Sequence, residues 1–212
     1  MLRFRLFGIT VHIQPMFWLI MAFLGRGMTL ISDPSPANFY FTIIFVIAGF
    51  ISIVVHEYGH ALIMQKYGRA PQIILHGLGG VAISSGERFT RKENFIVSLA
   101  GPGFQLALAL VGFVILQVVG DNFPTPQSKL FIQLLYYISL IWACLNLIPI
   151  YPLDGGHIFS SIVGPSRQKL VHQVGIGIGI VAGVFCLLTS NLWGLMILGL
   201  LTYDNIKALQ RY

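Results

Sequence analysis

The chain has 212 residues, of which 56% are apolar and only 9% are charged, and its mean hydropathy is +0.80. Because water-soluble domains have about a quarter charged residues, this composition excludes an ordinary soluble globule and predicts a protein surrounded by the lipid bilayer. The formal net charge of +6 is spread over short connecting segments without a nucleic-acid-binding motif, so nucleic acid is not an expected partner. Cys144 and Cys186 lie in apolar runs and indicate no disulfide framework.

Six apolar segments are candidates for membrane-spanning helices, which need about 20 mostly apolar residues. They lie near Met16–Leu30, Phe39–Met64, Phe95–Val119, Leu130–Ile148, Val171–Thr189 and Leu192–Ile206. All but Arg26 and Lys129 of the 13 Lys and Arg residues then fall on the side that holds both termini. Since cytoplasmic loops are enriched in basic residues, we expect both termini in the cytoplasm.

Two segments outside these spans have the pattern of β-strands. Phe4–Ile13 alternates between apolar and polar residues, and Pro71–Ser84 places branched aliphatic residues around three glycines. The second pattern predicts a β-hairpin. The expected fold class is therefore an all-α polytopic membrane protein of about six transmembrane helices with a small membrane-associated β-hairpin.

The second span ends in a metal-binding pattern, His56-Glu57-Tyr58-Gly59-His60. Histidines at positions i and i+4 project from the same helix face, so both imidazoles can bind one metal ion. Zinc lowers the pKa of a bound water to about 7, and the intervening glutamate can accept its proton as a general base. Two buried histidines bonded to nearby backbone are the alternative, but they do not explain a glutamate in the same apolar helix.

Asp154 is the best candidate for the further ligand that a tetrahedral zinc ion needs beside two histidines and a water. Pro149 and Pro152 cannot continue a helix, and Gly155 and Gly156 permit unusual backbone angles, so the fourth span should break just before Asp154. Unwound backbone at membrane depth is tolerated only where protein or a water-filled cavity surrounds it. A solvated aspartate in an interfacial turn is the alternative.

The two motifs together resemble those of the site-2 proteases, a family of intramembrane zinc metalloproteases. That family combines His-Glu-x-x-His on one transmembrane helix with a later Asn-x-x-Pro…Leu-Asp-Gly motif on another. This chain has them as His56–His60 and Asn146–Gly155, in the same order and on the second and fourth spans. Leu6–Ile9, the Gly-rich hairpin and Ala100-Gly101-Pro102 extend the resemblance over most of the chain from Leu6 to Gly156.

This resemblance implies a function and a set of site residues. His56, His60 and Asp154 would be the ligands of one Zn²⁺ per chain, and Glu57 would be the general base. Asn146 would hold the substrate or stabilise the oxyanion, since its amide can donate a hydrogen bond to developing negative charge. The reaction would be hydrolysis of a peptide bond within or near the transmembrane segment of a single-span membrane protein, as in regulated intramembrane proteolysis.

The sequence and the resemblance together indicate an organisation and a location. We expect one transmembrane peptidase domain over residues 1–212, with a catalytic core at about 39–163 and no soluble accessory domain. We expect a prokaryotic plasma membrane, with the active site toward the cytoplasm. A non-catalytic membrane metal-binding or transport protein is the alternative. A transporter would show repeat symmetry and polar residues along a path through both leaflets, and neither is visible in the sequence.

Several features have no role assigned by the motifs. The family often has asparagine three residues after the proline of its Gly-Pro element, where this chain has Gln105. His157 is either an interfacial residue or a partner of a metal ligand. The hairpin either offers a strand edge to an unwound substrate or is a structural re-entrant loop. Gly175, Gly179 and Gly183 recur at four-residue spacing and predict close helix packing by the fifth span.

Overall fold

The fold is given by a computed structural model that describes residues 1–77, 79–86 and 88–211, apart from the side chain of Trp193. The first half contains strands β1 (Leu2–Leu6) and β2 (Ile9–Ile13), helices α1 (Pro15–Ala22), α2 (Met28–Ser32) and α3 (Pro36–Lys66), and strands β3 (Ala70–His76) and β4 (Gly79–Ser85). The second half contains helices α4 (Arg91–Val119), α5 (Pro126–Asn146), α6 (Asp154–Val163), α7 (Gln168–Leu188) and α8 (Leu192–Leu209). A π-helical turn, Phe23–Gly27, joins α1 to α2, and a 3-10 turn, Pro165–Arg167, precedes α7.

Five helices in the described part of the chain are long and apolar enough to cross a membrane. They are Pro15–Ser32, Pro36–Lys66, Arg91–Val119, Pro126–Asn146 and Pro165–Leu188. They coincide with the first five predicted spans, so the prediction of a polytopic, mainly helical membrane protein is confirmed. The sixth predicted span lies in α8, which is helical, and the count of six spans stays a prediction.

The chain divides into two compact units. The first unit consists of Met1–Glu87 and Ala100–Ala143, and the second consists of Arg88–Leu99 and Cys144–Tyr212. The first unit therefore contains all four strands, α1 to α3 and most of α4 and α5, whereas the second contains the start of α4, the end of α5 and all of α6 to α8. That the whole chain acts as one peptidase domain stays a prediction.

The four strands of the first unit form one sheet in the order β1-β2-β3-β4. The β3–β4 hairpin is antiparallel, with Leu75 opposite Gly80, and confirms the predicted hairpin. The N-terminal strands form a second antiparallel pair, and β2 joins β3 in parallel, with Thr10 opposite Gln72. The membrane-associated β-structure is thus a four-stranded sheet, larger than the single hairpin that the sequence predicted.

An apolar core fixes this sheet to the helices of the first unit. Alternate residues of β2 point inward, because successive side chains of a strand face opposite sides of the sheet. They pack with residues of β3 and with the inner faces of α1 and α3. The buried core includes Ile9, Val11, Ile13, Phe17, Met21, Ile53, Ala61, Ile73 and Leu75.

The first span is bent at Gly25 and Arg26, which leave the helical region of backbone angles. Gly25 lies so close to Phe45 that an added Cβ would be 2.9 Å from its ring. Its carbonyl accepts a hydrogen bond of 2.6 Å from the hydroxyl of Thr42 on α3. The guanidinium of Arg26 lies 4.2 Å from the ring centre of Phe41, where a cation–π interaction stabilises its charge. These contacts fix the bend against α3.

Helices α3 and α4 approach each other closely at Gly59. A Cβ at this position would lie 2.5 Å from the carbonyl oxygen of Ala100 and 2.9 Å from the Cα of Gly101. Backbone therefore contacts backbone, which only glycine permits. The residues that flank Gly59 in the His-Glu-x-x-His motif are thereby held against α4 near Ala100, where α4 enters the first unit.

Within the second unit, α7 and α8 pack through glycines. A Cβ at Gly175 would lie 3.0 Å from Oδ1 of Asn205, and a Cβ at Gly179 would overlap the hydroxyl of Thr202. Gly183, one further turn along α7, is also buried. The close helix packing predicted from their four-residue spacing is confirmed.

We expect Gly59→Ala to lower the free energy of unfolding by about 1–3 kcal/mol, because the added methyl group meets backbone atoms that cannot rotate away. Gly103→Ala is the matched control, since Gly103 lies on the exposed face of α4 with nothing within 4 Å of its added Cβ. The control should be neutral or stabilising by up to about 1 kcal/mol. Thermal unfolding in detergent compares the two variants, and equal melting temperatures would contradict the prediction.

Candidate metal centre

His56 and His60 lie one helical turn apart on the inner face of α3 and are 5% and 7% exposed. Their Nε2 atoms are 3.1 Å apart, and their ring centres are 4.8 Å apart with the rings nearly perpendicular. The i, i+4 spacing of the sequence therefore brings the two imidazoles together as predicted.

The two imidazole nitrogens fit a zinc ion. Zinc–nitrogen bonds of about 2.0–2.1 Å at the tetrahedral angle separate two ligand nitrogens by about 3.3 Å, close to the distance observed here. Neutral imidazole nitrogen is a common zinc ligand, and burial keeps both rings away from competing water. The His pair thus has both the chemistry and the spacing of a metal-binding pair.

Glu57 is buried beside this pair, with 4% of its surface exposed. Strand β4 passes over its side chain at Gly80, where an added Cβ would lie 2.5 Å from Cγ and 2.7 Å from Oε1 of Glu57. The glycine therefore lets the strand backbone cover the carboxylate at close range. The sequence alone did not reveal this role of Gly80.

The Gly-Pro element of α4 has a steric role at the same site. A Cβ at Gly101 would overlap the imidazole ring of His60, so the helix can pass the histidine only with glycine there. Pro102 follows within the helix and is fully buried. Two turns of α4 that hold Ala100-Gly101-Pro102 and Gln105 thus form one wall of the metal centre.

Gln105 is a second residue that the sequence left without a role. Its Oε1 atom lies 2.9 Å from Nδ1 of His56, on the side of the ring opposite the Nε2 atom that faces His60. The partner is fixed by packing between two helices, so sequence spacing gives no signal for it.

The second unit carries Asn146 and Asp154, the other two predicted site residues. Helix α5 ends at Asn146, and α6 begins at Asp154, so the predicted helix break before Asp154 is confirmed. Both residues are partly buried. A Cβ at Gly155 would overlap the carbonyls of Leu147 and Ile148, and the intervening turn therefore folds tightly onto the start of α6.

The turn before Asp154 is held from α8 by Asn205, which the sequence did not single out. Asn205 is almost fully buried and donates a hydrogen bond of 2.7 Å from Nδ2 to the carbonyl of Tyr151. Its Oδ1 atom lies 3.0 Å from Nδ1 of His172 on α7. The His157 ring contacts Tyr151 edge-on, with ring centres 4.7 Å apart. In this unit His157 therefore packs on the turn, and its role stays a prediction.

Comparison with known proteins finds a family model and several relatives that match parts of this chain. Residues 124–190 match the model of peptidase family M50. A Synechocystis protein that carries a zinc metalloprotease name is 36% identical over 165 residues, which cover 74% of this chain and 42% of the relative. A zinc metalloprotease of Methanocaldococcus jannaschii is 27% identical over 198 residues, which cover 89% of this chain and 54% of the relative. The chain thus spans about half the length of these relatives.

A solved structure matches over nearly the whole chain. The site-2 protease from Methanocaldococcus jannaschii superposes with a TM-score of 0.68 at 24% identity, covering 98% of this chain and 94% of that one. The chain therefore has the same fold as that solved structure. With the match of residues 124–190 to the family model and the similarity to relatives named as zinc metalloproteases, this shared fold confirms the predicted resemblance to the site-2 protease family, peptidase family M50.

We expect Gly101→Ala to weaken zinc binding on the order of tenfold, because the methyl group displaces the imidazole of His60. Gly103→Ala, two residues further along α4, should leave zinc binding unchanged. Metal analysis of detergent-purified protein during titration with a chelator measures both. Full zinc retention by Gly101→Ala would show that the site tolerates movement of His60.

Proposed function

We propose that the chain is an intramembrane zinc metalloprotease that hydrolyses a peptide bond within or near the transmembrane segment of a membrane protein. The observation that carries the proposal is the buried His56–His60 pair with Glu57 beside it, on a helix apolar enough to span the bilayer. A charged group at such depth costs several kcal/mol, so membrane proteins keep one there chiefly for function.

Each side chain has a separate task in this reaction. When bound, zinc supplies Lewis-acid polarisation and lowers the pKa of water to about 7. Glu57 accepts the proton of the attacking water and then delivers it to the nitrogen of the departing amine. The strand backbone at Gly80 holds the carboxylate in place for both transfers and limits its contact with bulk water.

Asp154 completes the ligand set in this proposal, and the amide of Asn146 donates a hydrogen bond to the oxyanion that forms on the scissile carbonyl. Two observations support these roles. Both residues lie in the segment that matches the peptidase family model, and they stand at the two ends of the break between α5 and α6. The tight turn between them is the unwound backbone that a polar site inside a membrane requires.

The substrates we propose are single-span membrane proteins. A transmembrane helix hides its carbonyls in backbone hydrogen bonds, so the substrate must unwind before Glu57 and water can attack. Glycine or proline near the scissile bond lowers the cost of unwinding by about 1–3 kcal/mol per residue. The class of substrate therefore has helix-breaking residues within or at the edge of its span.

The proposed orientation places both termini and the active site toward the cytoplasm of a prokaryotic plasma membrane. The distribution of basic residues supports the cytoplasmic location of both termini. From Phe39 to His56 the helix rises about 26 Å at 1.5 Å per residue, which brings the histidines near the cytoplasmic edge of the hydrocarbon core.

We expect Glu57→Gln to keep its zinc and to lose cleavage by about 10²–10⁴-fold or more, because glutamine has the shape of glutamate but cannot accept the proton. The assay is reconstitution in liposomes with single-span proteins that carry glycine or proline in their spans, with products identified by mass spectrometry. Cleavage by Glu57→Gln at the wild-type rate would overturn this mechanism. A wild type that binds zinc, cleaves nothing and transports the metal into vesicles would favour the transport alternative.

We expect near one zinc per chain in the purified wild type and clearly less in Asp154→Ala, because a carboxylate ligand is lost. Asp121→Ala is the matched control. Asp121 is exposed in the loop after α4, where a hydrogen bond of 2.7 Å from Lys129 lowers the pKa of its carboxyl group. Exposed pairs of this kind contribute little to stability, so the control should retain its zinc. Equal zinc contents in the two variants would remove Asp154 from the ligand set.

A further inference from the structure

The far side of the His56 ring is connected to a chain of buried polar side chains. Gln105 on α4 places Oε1 2.9 Å from Nδ1 of His56 and donates from Nε2 to the hydroxyl of Ser52 at 2.8 Å. The hydroxyl of Ser139 on α5 donates to the same Ser52 oxygen at 2.9 Å. Gln105, Ser52 and Ser139 are all fully buried. This series of hydrogen bonds thus joins α3, α4 and α5 inside the first unit and ends at His56, a predicted metal ligand.

The direction of these hydrogen bonds is fixed by their partners. The Nε2 atom of Gln105 also faces the backbone carbonyl of Ser52 at 3.5 Å, and a carbonyl oxygen can only accept. The amide group must therefore turn its NH₂ toward Ser52 and its oxygen toward His56. Since Oε1 can only accept as well, Nδ1 of His56 carries the hydrogen, and Nε2 is left with its lone pair facing His60.

We propose that Gln105 is a positioning residue that holds His56 in the tautomer and ring orientation required for zinc binding, with Ser52 and Ser139 holding Gln105 in turn. The inference rests on the proposed zinc centre and adds a determinant of its metal affinity. Metal-binding histidines generally donate their second ring N–H to an oxygen acceptor, and that contact raises the basicity of the ligand nitrogen.

The length of the side chain suits this role. Gln105 reaches from α4 to both Ser52 and His56, and an asparagine at this position would be one methylene shorter and would lose one of the two contacts. Burial of an amide among membrane helices costs free energy unless its hydrogen bonds are made, so an apolar residue would be preferred at 105 if packing alone mattered. The polar residue is therefore explained by what it does for His56.

The first test is Gln105→Met, which keeps the length and flexibility of the side chain but removes both its hydrogen-bonding groups. We expect the dissociation constant for zinc, measured by chelator competition on the full chain in detergent, to rise 10- to 100-fold. Gln117→Met is the matched control, since Gln117 lies on the same helix with its side chain exposed. The control should bind zinc as the wild type does.

Gln105→Glu separates positioning from mere packing. Glutamate keeps an oxygen acceptor for Nδ1 of His56, so zinc binding should stay within about threefold of wild type. If Gln105 only filled space, the buried charge would make Gln105→Glu the more damaging of the two changes, and the order of the variants would be reversed.

The outcomes are distinct. Zinc binding by Gln105→Met within threefold of wild type, or equal losses in Gln105→Met and Gln105→Glu, would overturn the inference while leaving the protease proposal intact. A wild type that binds no zinc would overturn the protease proposal itself. Should Gln105→Met not fold, Gln105→Leu takes its place, and the comparison with Gln105→Glu is read in the same way.

Discussion

The placement of ionisable side chains inside an apolar membrane helix is the constraint on which the rest of the first unit depends. Glu57 and the two histidines have less than a tenth of their surface exposed, on a helix that is otherwise mainly apolar. Lipid offers no hydrogen bonds, so every polar atom at that depth must find its partner within the protein. Gly80 of the sheet, Gly101 of α4 and the amide of Gln105 all contact this part of α3. Their arrangement follows from that need.

Glycine residues let other backbone segments approach the His-Glu-x-x-His motif of α3 closely. Gly59 brings α4 against α3, Gly101 leaves room for the ring of His60, and Gly80 lets β4 cover Glu57. Each removes a methyl group at a position where backbone meets the motif. Close approach of small residues is the general way in which membrane helices pack, since lipid supplies little hydrophobic force to drive them together. Here the same close packing also narrows the space around the side chains of the His-Glu-x-x-His motif.

The sequence predicted features that depend on short-range periodicity and on individual backbone restrictions. The i, i+4 histidines, the end of α5 before Pro149 and the β3–β4 hairpin follow from helix geometry, proline chemistry and turn residues, and the structure contains each of them. The contacts of Gln105 and Asn205 depend on which helices pack together, and no local pattern encodes that. The parallel pairing of β2 with β3 was missed for the same reason. The predicted helix break and the incomplete ligand set made Asp154 the best candidate for a third ligand, whereas a family resemblance supplied the role of Asn146.

The parallel pair at the centre of the sheet has a consequence for synthesis of the chain. Thr10 of β2 is made about 60 residues before its partner Gln72, and α1 to α3 lie between them. Contacts between residues far apart in the sequence form slowly, because closing the intervening loop costs conformational entropy before the contact is made. The N-terminal strands therefore leave the ribosome with an unpaired edge, which stays open until three helices have been delivered to the bilayer. The sheet can therefore be completed only after the turn that carries His56 and Glu57 has been synthesised.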